Sequence, residues 1–101
     1  MTNFEKIASD YWQKRQHYET KIDAVLITKN KGLQIIEELA QTTYYYVNSI
    51  TDEPAILNDG LQALYSLSDE LKDDCQQEHK QLDQQLEELE TNYRHQLQNE
   101  T

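Results

Sequence analysis

The sequence predicts an all-α fold, a long antiparallel two-helix hairpin of coiled-coil type with its turn near residues 49–53. Three observations predict it. Apolar residues recur at alternating spacings of three and four in both halves of the chain, which draws one stripe along a helix. The single proline, Pro54, falls near the midpoint of 101 residues. Only two glycines accompany it, too little turn material for a β-rich domain.

The first helix is expected over about residues 3–48. Its stripe runs through Phe4, Ala8, Tyr11, Tyr18, Ile22, Val25, Gly32, Ile36, Leu39, Thr43 and Tyr46, interrupted by Arg15 and Lys29. Two stretches compete with this reading. KNKG at 29–32 offers Gly32 as a C-cap and hence three helices. TTYYYV at 42–47 has strand propensity, but the chain offers no second strand to pair with it.

The turn follows from VNSITDEPAIL at 47–57. Ser49, Thr51 or Asp52 can cap a helix start, and Pro54 suits a first helical turn, where its missing N–H costs nothing. Asp52 and Glu53 favour the positive end of the helix dipole. The second helix is expected over about residues 54–98, with Leu57, Leu61, Leu64, Leu71, Cys75, Leu82, Leu86, Leu89 and Tyr93 as its stripe and a polar gap, QQEHKQ, at 76–81.

Folding the chain at residue 52 sets Ile22 against Leu82, Tyr18 against Leu86, Tyr11 against Tyr93, Leu33 against Leu71 and Val47 against Leu57. It also sets Lys14 near Glu90, Lys21 near Asp83 and Lys31 near Asp73, and places Gly60 opposite Tyr44, with room for its ring. Exposed ion pairs add only about 0.2–1 kcal/mol each, so these charges would set register more than stability.

Totals bound the function. The chain makes one domain, 1–101. Leu, Ile, Val and Phe number 22, and mean hydropathy is −0.94; that suffices for a seam but not for a thick core. A net charge of −10 opposes nucleic acid and anionic membranes as partners. One cysteine excludes an internal disulfide. The start is charged, and the longest apolar run is AVLI at 24–27, far short of a signal core or a span. A cytoplasmic protein is expected, one that could leave the cell only by a route without a cleaved signal peptide.

No chemistry is visible. Cys75 and His79 share a helical face with Glu78 and Asp83 nearby, but Cys75 reads better as a small core residue, so no metal is expected. Asp73–Asp74 and Glu87–Glu88 lack the pocket that catalytic carboxylates require and read as solvated faces and partners for Lys31 and Arg15. No glycine-rich loop and no nucleophile–base set occurs. Neither an enzyme nor a cofactor is expected.

Tyr44, Tyr45 and Tyr46 say more. Successive helical residues turn by about 100°, so three rings in a row cannot face one neighbouring helix. Leu26 and Ile27 beside Val25, Ile35 beside Ile36, and Trp12 beside Tyr11 widen the stripe in the same way. Scattered surface apolars are normal; the alternative is a second apolar face reserved for another protein's helices. Trp12, Tyr18, Leu26, Ile27, Ile35, Tyr45 and Tyr46 are the residues expected to bind such a partner, since large rings are typical anchors.

A small acidic chain built as a long helical hairpin resembles the WXG-like small proteins of bacterial type VII secretion, in particular the accessory proteins of LXG-domain toxins. The turn reads NSITDEPA, without Trp-x-Gly, and the family's Tyr-x-x-x-Asp/Glu export pattern occurs only as Tyr65 to Asp69, early in the second helix. The resemblance therefore implies a signal-free adaptor or targeting chaperone. Its partners would be the helical N-terminal domain of a toxin and a second small helical protein, in a hetero-oligomer. Two other classes compete: a self-associating structural protein forming a homodimeric four-helix bundle, and an inhibitor whose acidic second half mimics nucleic acid.

Overall fold

The computed structural model describes residues 2–100; residues 1 and 101 of the expected domain lie outside the described residues. Thr2 starts the first helix. Its Oγ1 accepts a hydrogen bond from the Glu5 N–H at 3.2 Å, and its carbonyl accepts the Lys6 N–H at 3.1 Å. Thr2 thus acts as the N-cap, with an acid three positions on, a signal that the stripe analysis passed over.

Two helices follow, α1 (Asn3–Ile50) and α2 (Pro54–Glu100), and the fold is an all-α helical hairpin. Each helix runs two residues beyond its expected end, so the turn shortens to 51–53. The hydrogen bonds explain the extension. The Thr51 N–H donates to the Val47 carbonyl at 2.9 Å, and Ser49 Oγ donates to the Tyr46 carbonyl at 2.8 Å. Ser49 therefore finishes α1 and does not cap α2. Thr51 Oγ1 instead accepts from the Glu53 N–H at 3.1 Å, closing a tight turn just before Pro54 begins α2.

Residues 29–32 do not break α1. Gly32 serves close approach rather than termination: a Cβ at that position would stand 2.5 Å from Leu71 Cδ2. The tyrosine run is also helical, flanked by Thr43 and Val47, whose half-buried side chains keep this stretch in phase with the seam.

Contacts between the helices gather into two compact units. One joins residues up to Val25 with those from Gln77 onward; the other is Leu26–Gln76. In the first, Tyr11, Val25 and Leu82 are buried, and Ala8, Tyr18, Ile22, Leu86, Leu89 and Tyr93 are half-buried. Tyr11 stacks on Tyr93, as the fold at residue 52 requires, with centroids 4.1 Å apart. In the second, Ile36 and Cys75 are buried, with Leu33, Ala40, Thr43, Val47, Leu57, Leu61, Leu64 and Leu71 half-buried. Among the described residues no large side chain is fully enclosed. The core is a seam one layer deep.

Four expectations are corrected. Phe4, Leu39 and Tyr46 point out of the seam, each about half exposed or more; Ala40 and Val47 take the inward positions, because an α-helix advances 3.6 residues per turn and drifts from a strict 3.5 repeat. Tyr18 is half-buried in the seam, so it does not belong to a free outer face. Thr43, not Tyr44, lies against Gly60, its Cγ2 3.3 Å from where a Cβ would stand. The expected cross-helix charge pairs do not form. Among the described residues the ion pairs lie within single helices, Arg15–Glu19, Glu90–Arg94 and, when the imidazole is protonated, His79–Asp83, where four-residue spacing brings side chains together at little entropic cost.

Candidate functional site

The seam uses one side of each helix, and the remaining apolar residues decide what else the surface offers. Trp12, Leu26, Ile27, Ile35, Tyr45 and Tyr46 are all exposed, from 38% for Leu26 to 72% for Tyr45. Leu39, Tyr44, Ile50, Ile56, Tyr65 and Leu67 join them; these six were not expected as outer-face residues. Apart from Phe4 and Trp12, every large apolar side chain exposed among the described residues lies in Leu26–Gln76.

Within that unit the helical turn of about 100° per residue sorts these side chains by flank. Measured from Ile36 on α1 and Leu64 on α2, Glu37, Ala40, Gln41 and Tyr44 share a flank with Leu61, Tyr65, Ser68 and Lys72. These eight line one open groove of 740 Å³, so this flank of α1 and this flank of α2 open on the same side. Ile35, Leu39, Tyr46 and Ile50 then share the opposite side with Ile56 and Leu67. Thr42, Gly60 and Ala63 lie between them by the same geometry. No charged residue interrupts that second flank between Ile35 and Ile50.

Trp12 stands in a different setting in the first unit. Its ring meets Tyr11 edge-on at 5.3 Å, and the Arg15 guanidinium lies 5.3 Å from its centroid. Arg15 also donates from Nε to Glu19 and from Nη1 to Tyr11 Oη, both at 2.9 Å. The Glu19 bond, then the Tyr11 bond, holds the guanidinium above its ordinary pKa. A cation over an indole is attracted to the face of the ring.

Cys75 is buried, whereas His79 points to Asp83 at 3.6 Å, a pair that is ionic only when the imidazole is protonated. No group of three or more His, Cys, Asp or Glu side chains gathers for a metal among the described residues. Asp73, Asp74, Glu87 and Glu88 are exposed, and Arg15 takes Glu19 rather than either acidic doublet. Tyr65 is 60% exposed and lines the groove. No helix among the described residues is long and apolar enough to cross a membrane.

These features define a helical hairpin with a thin seam and an apolar outer surface on one of its units. Compared with known proteins, the chain matches no family model, no curated protein and no solved structure.

Proposed function

We propose that the chain is a non-catalytic helical adaptor that covers its apolar outer flanks with the helices of another protein. One observation carries the reading: large apolar side chains remain exposed over Leu26–Gln76 while the seam is filled. Burying a large apolar side chain is worth about 1.5–3 kcal/mol. Several half-exposed ones together match the cost of association, about 4–15 kcal/mol. Continuous exposed patches of this kind mark interaction surfaces.

The resemblance to accessory proteins of LXG toxins supplies the partner. The adaptor binds the helical N-terminal domain of such a toxin, together with a second small helical protein, and presents it to a type VII secretion machine. The export pattern would then belong to another member of the complex. The chain contributes surface and register, and the toxin contributes any chemistry.

Co-expression with an LXG toxin N-terminal domain, followed by affinity capture, tests this. Trp12→Ala and Tyr45→Ala each weaken co-purification, while circular dichroism shows helical content unchanged. Unaltered capture accompanied by loss of helix would contradict the reading, as would a tight homodimer by light scattering that excludes the toxin domain.

A further inference from the structure

We infer that the uncharged flank formed by Ile35, Leu39, Tyr46, Ile50, Ile56 and Leu67 receives one amphipathic helix of a partner protein whose apolar stripe is bordered by Lys and Arg. The inference rests on the adaptor reading and deepens it by fixing the face and the chemistry of the occupant. All six side chains are between 47% and 80% exposed. They lie on one side of a single unit, opposite the groove that holds Glu37 and Lys72.

Charge selects the occupant. Residues 26–76 hold nine acids and three bases, Lys29, Lys31 and Lys72. Helical geometry sets Glu38 on the outer border of this flank along α1, and Asp59 and Glu70 on its border along α2; the only cation on those borders is Lys31. A second copy of the chain would bring the same acidic α2 border and meet like charge there. A helix with basic borders meets opposite charge at Asp59 and Glu70 along α2 and at Glu38 along α1, while its apolar stripe covers the six side chains. The groove side selects more weakly, because its borders set Glu37 and Asp69 against Lys72.

Two synthetic peptides of equal length test this. Each carries the same leucine stripe, and its borders are lysine in one and glutamate in the other. Binding to the full chain is followed by fluorescence anisotropy at low salt. The lysine peptide is expected to bind at least tenfold more tightly than the glutamate peptide. Leu39→Asn with Leu67→Asn lowers its affinity at least tenfold, whereas Tyr44→Ser with Tyr65→Ser, on the groove side, changes it less than twofold. Circular dichroism confirms that both variants stay helical; if the double asparagine chain unfolds, Ile35→Asn and Ile56→Asn singly take its place. Equal binding of the two peptides, no binding of either, or sensitivity at the groove instead of the flank would overturn the proposal. So would self-association abolished by the flank substitutions. Toxin-domain capture at wild-type strength by the flank variant, with peptide binding lost, would remove this surface but leave the adaptor standing; peptide binding as expected with no capture would do the reverse.

Discussion

The ring of Tyr11 lies flat on that of Tyr93, with centroids 4.1 Å apart and planes within 9° of each other. Tyr11 is among the most buried residues of the chain, and its hydroxyl accepts from Arg15. The stack anchors the register of its unit, because only one alignment of the two helices brings these rings together. Stacked aromatic pairs contribute about 0.5–1.5 kcal/mol beyond the area they bury. Tyr93→Ala should therefore lower stability by about 2 kcal/mol, read from the urea midpoint. Tyr93→Phe should stay within about 0.5 kcal/mol of the parent; equal losses from both would point to the hydroxyl and away from the stack.

The two glycines should respond differently to the same change. Replacing a mid-helix glycine by alanine ordinarily gains about 1 kcal/mol. At Gly60 the new methyl would stand 3.3 Å from Thr43 Cγ2, so a small adjustment of a half-buried threonine suffices and most of the gain survives. At Gly32 it would stand 2.5 Å from Leu71 Cδ2, so the Leu71 side chain must shift within the seam. Gly60→Ala should raise the melting midpoint, whereas Gly32→Ala leaves it unchanged or lowers it by up to about 1 kcal/mol in stability terms. A gain at Gly32 as large as at Gly60 would mean that the helices do not close at that point.

Salt should stabilise the free chain. Its ion pairs are exposed and intrahelical, so screening removes little attraction. Screening does relieve the repulsion of a net charge of −10, because the Debye length falls from about 10 Å at 0.1 M to about 3 Å at 1 M. Thermal melts in rising sodium chloride should shift upward. A downward shift would instead assign the register to cross-helix pairs such as Lys21 with Asp83.

The seam was legible in the sequence because its period is almost uninterrupted. Every second-helix residue assigned to the stripe, from Leu57 to Tyr93, is at least half-buried. The first helix was harder where two apolar neighbours compete, Leu39 beside Ala40 and Tyr46 beside Val47. Spacing alone favours the larger residue, but the helices approach closely where Thr43 meets Gly60, and the smaller one fits. The same error hid Leu39 among core residues and so removed it from the uncharged flank. Ile50 and Leu67 escaped notice because each is an isolated apolar letter, and Ile56 because Leu57 beside it took the stripe; they form a patch only once the two helices are set side by side. The charge ladder misled for a different reason. A chain this acidic offers matches in almost any register, and the nearer partner on the same helix wins.

The single-layer seam governs how long the molecule lasts when it is alone. With no large side chain wholly shut away among the described residues, brief openings expose peptide bonds that a protease can cut, and cleavage follows the population of the open form. An occupant of the Leu26–Gln76 flank would suppress those openings by mass action. Turnover in the cell would then track the supply of the occupant: copies made in excess are destroyed, and the pool adjusts itself without any dedicated regulator.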